Sequence, residues 1–288
     1  MSSLPLVSYV VPSYNHFCYV EKTITSILNQ DYPNIELIVL DDGSTDGSNE
    51  LLEELSIKYG FYYEVHNNMG CAATLNKGFS IGSGKYFCAL ASDDWIVSNK
   101  TSIQVAYLEE NPEIAVCGGN IIAVDEKENV LKKQRYANFR TLVFEDVFFG
   151  RKHGIQAPTA MIRKDVFIEV GGYDPAIILE DIYLWLKITK RGYPLAVLED
   201  KLAFYRKHGS NIHYNHEFML DQIEKVYEPY KSEENYDYII NKRRVNRLLA
   251  AAKAGNKRFA WETLKKVPFR YQSMKTFKAL LHICKPSL

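Results

Sequence analysis

The stretch Tyr86-Phe87-Cys88-Ala89-Leu90-Ala91-Ser92-Asp93-Asp94-Trp95 decides how this chain is read. Its apolar first half has the composition of a buried strand, and its second half brings two adjacent carboxylates to the strand's carboxyl end. Mg²⁺ and Mn²⁺ take hard oxygen ligands and keep waters and phosphates in their remaining positions, so one or two carboxylates at such a point suffice to hold a cation against a diphosphate. The same Asp93-Asp94 pair would also serve as a turn, or as the N-cap of a helix over Val97–Glu110. The neighbouring sequence has to choose between these readings.

Upstream, short β-rich runs alternate with segments of helical period, which predicts βαβ units and a largely parallel sheet, hence an α/β fold. Strands are predicted at Val7–Val11, Ile35–Leu40, Tyr62–His66 and Tyr86–Leu90. Val20, Ile24, Ile27 and Leu28 mark the buried face of one intervening helix, and Leu51, Leu52 and Leu55 that of the next. Crossovers of this kind are right-handed and place ligands at the carboxyl ends of the strands. At those ends stand Pro12-Ser13-Tyr14-Asn15 and Asp41-Asp42-Gly43-Ser44-Thr45-Asp46. A carboxylate there can accept a hydrogen bond from a base imide, and an aromatic such as Tyr14 can cover the base face. Equally, Asp42-Gly43-Ser44 is a common turn and Asp46 an ordinary helix cap.

Downstream, Ala115–Gly119 and Ile121–Val124 read as two strands, and Val166–Val170 reads as a short helix stopped by Gly171-Gly172. Asp181–Lys190 is a helix with Leu184, Trp185 and Ile188 on its apolar face. Beyond Tyr227 the texture turns polar, then helical around Val245–Ala252, Phe259–Leu264 and Met274–Leu281. A boundary is expected near residue 225.

The 288 residues are 47% hydrophobic and 24% charged, ordinary globular material. Net charge is zero, but it is unevenly placed. From Asn241 onward thirteen Lys and Arg face one acid, Glu262, so the tail carries +12 and residues 1–240 carry −12. Cys18, Cys71, Cys88, Cys117 and Cys284 are odd in number and scattered, which argues against a disulfide framework or zinc site and for a reducing cytoplasm. The apolar run Leu4–Val11 ends at Pro12, too short for a leader or a span, so any meeting with a membrane is expected at its surface. His153, His213 and His216 lack metal spacing. Gly78, Gly82 and Gly84 follow a helix rather than open one and make no phosphate loop.

Taken in order, Val10-Val11-Pro12-Ser13-Tyr14-Asn15, Asp41-Asp42-Gly43-Ser44-Thr45-Asp46, Asn68-Met69-Gly70, Asn76 and Ser92-Asp93-Asp94 closely resemble the family 2 glycosyltransferases of GT-A fold. The likeness continues through Gly171-Gly172-Tyr173-Asp174 and Leu179-Glu180-Asp181 to Tyr205-Arg206-Lys207-His208. It implies a GT-A catalytic domain over residues 1–225, with a nucleotide-sugar half at 1–95 and an acceptor half at 96–225, followed by a basic helical extension at 226–288. It implies further that Asp42 pairs with the uracil of a UDP-sugar, with Asp41 beside it, Pro12 and Tyr14 lining the base pocket, and Asn68 also in the donor site. By the same resemblance Asp93 approaches the ribose, while Asp94 binds Mn²⁺ or Mg²⁺ on the diphosphate with His208 close to the metal. Asp181 takes the position of the catalytic base and Glu180 supports it.

Two departures narrow what is transferred. The metal motif reads Ser92-Asp93-Asp94 in place of the Asp-x-Asp of many relatives, and Trp185 lacks the Gln-x-x-Arg-Trp of processive polymerising members. The expected activity is therefore a single inverting addition of a sugar to a glycan hydroxyl, with a lipid-linked acceptor and a role in bacterial O-antigen or capsule synthesis implied by family habit. A peripheral seat at the inner face of the cell membrane would come from the basic tail. Competing readings are a sugar-phosphate nucleotidyltransferase and a non-catalytic nucleotide-sugar or glycan-binding module. The first wants a Gly-rich, basic loop after the first strand, and the second leaves Asp94 and Asp181 without purpose. A nucleic-acid partner is not expected, since no recognised motif accompanies the basic residues.

Overall fold

The structure, a computed structural model, describes residues 4–207 and 215–284, which fall into two compact units, one within 1–209 and one within 210–288. In the first unit β1 (Val7–Ser13), β2 (Ile35–Asp41), β3 (Tyr62–Val65) and β4 (Tyr86–Ala89) run parallel in the order β3-β2-β1-β4. They are joined by α1 (Val20–Leu28), α2 (Ser48–Tyr59) and α3 (Cys71–Ile81). After β4 come β5 (Trp95–Ile96), α4 (Lys100–Glu110), β6 (Val116–Val124), β7 (Arg140–Leu142), α5 (Phe144–Phe149), β8 (Met161–Arg163), α6 (Lys164–Glu169), α7 (Glu180–Lys190) and β9 (Leu195–Arg206). Strand β8 is antiparallel to both β4 and β6, and the sheet runs on through β6, β9 and β5, with β7 also on β9. The sheet is thus mixed, parallel in its first half.

Alternation along the strands sends side chains into two cores. Val10, Ile38, Leu40 and Phe87 pack with Leu75, Phe79, Phe167 and Leu184 on one face. On the other, Tyr9, Val11, Leu37, Val39 and Cys88 pack with Val20, Ile24, Leu52 and Val105. A sheet covered on both faces explains why these strands are nearly continuous runs of apolar residues. Each fully buried large side chain contributes roughly 1.5–3 kcal/mol relative to exposure.

Several sequence expectations change. Leu28 is 38% exposed, because it ends α1 and points off the buried stripe of Val20, Ile24 and Ile27. The two strands expected at 115–124 are one strand with an irregular register at Gly118–Ile121. There Gly119 has no partner on β9, and the Asn120 side-chain amide donates to Ala137 O and Glu199 O at 3.0 and 2.9 Å while its carbonyl accepts from Ala137 N. Helix α4 starts at Lys100 rather than Val97, since Trp95 and Ile96 pair with Phe204 and Ala203 of β9. Neither Asp93 nor Asp94 caps that helix, which sets aside the capping reading.

The second unit holds α8 (His216–Tyr227), α9 (Tyr236–Lys253), α10 (Lys257–Lys265) and α11 (Met274–Ile283). Asn215 and Asn256 cap α8 and α10 by accepting from Phe218 N and Phe259 N. Leu220 of α8 packs with Leu248, Ala251, Ala252, Phe259, Ala260 and Ala279. That shared core puts α8 with the C-terminal helices, so the unit boundary falls before it and not near 225. Among the described residues no helix is long and apolar enough to cross a membrane.

Gly78, expected to follow a helix, instead lies within α3, and only Gly82 and Gly84 come after it. A Cβ at Gly78 would lie 2.3 Å from Val10 Cγ1, so glycine is what lets α3 rest on β1. Gly78→Ala is expected to destabilise the chain by about 1–3 kcal/mol through overpacking, despite the roughly 1 kcal/mol that alanine gains in helix propensity. Urea unfolding of the two proteins checks this; equal or greater stability of the variant would contradict the close packing.

Candidate active site

The carboxyl ends of β1 and β2 are laced together by their loops. Asp42 N donates to Ser13 O at 2.8 Å, Asn15 N donates to Ser44 Oγ at 2.8 Å, and Thr45 N donates to Asn15 Oδ1 at 2.8 Å. Asn15 holds φ +54°, a left-handed conformation that asparagine tolerates and most side chains do not. Asp41 is fully buried and accepts from both Ser44 N and Ser44 Oγ at 2.7 Å, so its carboxylate shapes the turn. Asp46 accepts from Phe17 N, Ser48 N and Ser48 Oγ, but it stands one residue ahead of Gly47, the N-cap of α2, so it is not the helix cap the sequence suggests.

Asp42 is buried and accepts from Met69 N at 2.7 Å and Gly70 N at 2.9 Å. Its carboxylate therefore organises the 67–70 loop that leads into α3, with His66 Nδ1 3.4 Å away. A carboxylate has about four acceptor sites, so these bonds leave capacity for a further donor. Pro12 is half-buried beside this loop pair, Tyr14 is 49% exposed, and Asn68 is exposed.

Asp93 and Asp94 follow β4 and are both buried. Asp94 Oδ1 accepts from Arg206 N at 2.9 Å, and the Arg206 guanidinium donates from Nε to Asp93 O at 3.1 Å. Arg206 is itself 2% exposed, with its guanidinium over the rings of Tyr19 and Trp95. Thr23 Oγ1 donates to the carbonyls of Ser92 and Asp94, and His16 Nδ1 lies 2.8 Å from Ser92 Oγ. Burial first, and then the adjacent Asp93 charge, hold the Asp94 carboxyl well above the usual range; the Arg206 contacts offset this only in part. Two hard oxygen donors with too little positive charge around them fit a divalent cation. Among the described residues no three His, Cys, Asp or Glu side chains form a ready-made cage, so substrate oxygens would have to complete the coordination. His208 and His213 lie outside the described residues.

Helix α7 opens with Glu180 and Asp181, and Asp181 Oδ1 accepts from Ile182 N at 2.7 Å. Burial and then the Asp181 charge push Glu180 up to about 8. The unusual proton affinity thus sits on the residue assigned only a supporting role by the sequence. Cys71, the first residue of α3, is accessible, yet desolvation of its thiol and the charges of Glu180, Asp42 and Asp93 push it up to about 12. A thiol so held is not a thiolate near neutral pH. Its value is as a marker, because it senses carboxylates from β2, β4 and α7 together. The turn after α6 is anchored by Asn76, whose side chain donates to Tyr173 O at 2.8 Å and accepts from Tyr173 N at 3.0 Å.

In the sequence alone Asn76, Gly171-Gly172-Tyr173 and Arg206 stand as motif members, Cys71 as one of five scattered cysteines, and His16 and Thr23 have no assigned role. His16 and Cys71 directly adjoin quoted motifs, which is the only signal they offered; Thr23 offered none.

The mixed sheet thus gathers buried carboxylates at the carboxyl ends of its parallel strands. Comparison with known proteins gives the family. Residues 8–171 match the family model "Glycosyl transferase family 2". An uncharacterized glycosyltransferase of Haemophilus influenzae is 32% identical over 258 residues, covering 84% of this chain and 76% of that protein. Another, RP339 of Rickettsia prowazekii, is 34% identical over 197 residues, covering 65% of this chain and 59% of its own length. Among solved structures, S. aureus TarS 1–349 in complex with UDP-GlcNAc superposes with TM-score 0.68 at 17% identity, covering 92% of this chain and 82% of that one. The mannosyltransferase PcManGT of Pyrobaculum calidifontis, in complex with GDP-Man and Mn²⁺, gives TM-score 0.60 at 15% identity over 98% and 86%. The chain belongs to glycosyl transferase family 2, and it has the GT-A fold with a C-terminal helical extension.

Because Glu180 keeps its proton to about pH 8 in the folded chain but loses it near the ordinary carboxylate range when unfolded, its penalty is absent at low pH and complete above pH 8. Glu180→Gln is therefore expected to match the parent in thermal stability near pH 4 and to exceed it by on the order of 1–3 kcal/mol at pH 9, in EDTA. A stability difference that does not grow with pH would remove the raised proton affinity.

Proposed function

We propose that the protein is a metal-dependent, inverting transferase that moves one sugar from a UDP-sugar to a hydroxyl of a lipid-linked glycan in the making of a bacterial surface polysaccharide. The observation that supports it most is that the Cys71 thiol feels the charges of Glu180, Asp42 and Asp93, which stand on three separate segments, with Asp181 adjoining Glu180 at the start of α7. In this reading the donor half spans 1–95 and the acceptor half follows it, up to the described end of β9. Asp42 presents a carboxylate to the uracil imide, with Tyr14 and Pro12 beside the base and Asn68 at the loop edge. Asp41 acts one step removed, since both its oxygens hold the turn that aims Asp42. Asp93 faces the ribose.

Asp94, with His208 as the resemblance implies, would hold Mn²⁺ or Mg²⁺. Bound there, the cation would supply positive charge to the departing diphosphate. Asp181 takes the acceptor hydroxyl proton while that oxygen bonds to the anomeric carbon and the carbon–phosphate oxygen bond breaks, which inverts the centre. Glu180, protonated near neutral pH, leaves the negative charge of the pair on Asp181. A UDP-sugar in place of a GDP-sugar rests on the family resemblance; a nucleotidyltransferase reading finds no basic phosphate loop after β1.

Asp181→Asn keeps the shape of the side chain and cannot take a proton. Turnover is expected to fall on the order of 10² to 10⁴ fold while UDP affinity changes by less than about twofold. Loss of nucleotide binding with the rate retained at saturation would instead assign Asp181 to the donor site.

Metal dependence is checked on the unmodified chain by following UDP release from a panel of UDP-sugars. EDTA should abolish release and excess Mn²⁺ restore it. Undiminished release in EDTA would take the cation out of the reaction.

A further inference from the structure

The C-terminal unit divides its apolar residues between two destinations. Val245, Leu248, Phe259, Ala260 and Ala279 are buried in the helical bundle. Met274, Phe277 and Leu281 are not: they are 68%, 57% and 52% exposed. Their spacing, together with Lys278, is that of a single helical stripe, opposite the stripe of Thr276 and Ala279 through which α11 packs. On the preceding segments Phe269 is 88% exposed and Trp261 46%. Exposed residues of this size, gathered within some twenty positions of sequence, mark a contact surface rather than scattered surface apolars.

The charges beside them are mostly positive, with Asp237 3.4 Å from Arg270. Lys265, Lys266, Arg270, Lys275 and Lys278 lie among these residues, and the only acid from Asn241 onward is Glu262, which pairs with Arg258 at 3.1 Å. Lys265, Lys266 and Lys278 make no ion pair among the described residues. A second copy of this chain is a poor occupant, because a two-fold contact would set like charges against one another. A nucleic acid would use the lysines and leave Met274, Phe277 and Leu281 in water. An anionic lipid surface uses both: apolar side chains enter the headgroup boundary while lysines, with their long alkyl stems, reach the phosphates.

We infer that the stripe Met274, Phe277 and Leu281 of α11, with Phe269, Trp261 and the basic residues between them, is a docking face for an anionic membrane surface. The face is carried by the C-terminal unit alone and uses none of the residues assigned to transfer. It adds to the proposed reaction a place where a lipid-linked acceptor is met, and its test reads lipid binding without any turnover.

The probe is a sucrose-loaded vesicle, either pure phosphatidylcholine or phosphatidylcholine with one third phosphatidylglycerol, sedimented with the full chain. The chain is expected to partition onto the anionic vesicles at least tenfold more than onto the neutral ones. Raising salt from 0.05 to about 0.5 M, which shortens the Debye length, should weaken this by a similar factor. Phe277→Ser with Leu281→Ser, and separately Lys275→Glu with Lys278→Glu, should each lower binding about tenfold. All four positions are exposed, and an unchanged circular dichroism melt of each variant would show that the bundle remains folded. Equal binding to both vesicle types, or variants that bind as the parent does, would overturn the inference. So would a parent chain that elutes as a dimer and becomes monomeric in the Phe277→Ser, Leu281→Ser variant, which would give the face to a second copy.

Discussion

The backbone N–H of Arg206 reaches the Asp94 carboxylate, and this one hydrogen bond ties the last residue of β9 to the turn that carries the acidic pair. Two like charges side by side in a buried turn repel and are poorly solvated, and donors from β9 and from Thr23 of α1 hold the turn in shape. The Arg206 guanidinium adds a second tie through the Asp93 carbonyl and is kept in place between Tyr19 and Trp95. Truncating Arg206 would remove a buried cation, three side-chain hydrogen bonds, to Asp93 O, Glu126 O and Glu128 Oε1, and the contacts with Tyr19 and Trp95, while leaving the backbone bond to Asp94. The repulsion that remains between Asp93 and Asp94 is what a divalent cation is suited to relieve.

The opposite side of the site obeys a parallel logic with different means. Asp41 and Asp42 are adjacent acids in which backbone and hydroxyl donors replace counter-charge: Ser44 for the first, Met69 and Gly70 for the second. Asn76 then fixes the Tyr173 backbone, and through it the approach to α7 where Glu180 and Asp181 stand. Pairs of acids in environments that separate their proton affinities are how one site holds an acid form and a base form together. Burial and the neighbouring Asp181 charge push Glu180 up to about 8.

The C-terminal unit shows why a basic, amphipathic tail can be read in two ways from its sequence. Its apolar positions are too many for a single helix-bundle core of this size, and the structure sorts them. Those on α9 and the inner side of α10 bury, and the outer stripe of α11 stays in solvent. Packing and surface contact are therefore complementary uses of one pattern. The chemistry of the exposed part, apolar with an excess of cationic side chains, fits lipid better than protein.

The sequence by itself determined the β-α alternation, the parallel strands, and the strand ends at which Pro12-Ser13-Tyr14-Asn15, Asp41-Asp42 and Asp93-Asp94 would stand. It did so because burial on two faces leaves near-continuous apolar runs, and because parallel crossovers send loops to one edge. The ordered motifs, read as a family resemblance, carried this to glycosyl transferase family 2. What only the tertiary structure decided are the relations between distant segments. Period and propensity say nothing about Arg206 reaching Asp94 across more than a hundred residues, Asn76 holding Tyr173, or Thr23 binding the Ser92 carbonyl. The bulge at Gly118–Ile121 and the early unit boundary before α8 likewise depend on partners, Ala137 and Glu199 in one case and Leu248 in the other. Proton affinity was also beyond the sequence: Glu180 and Asp181 are chemically alike in the chain, and only burial and mutual charge in the folded cleft make Glu180 the one that holds its proton.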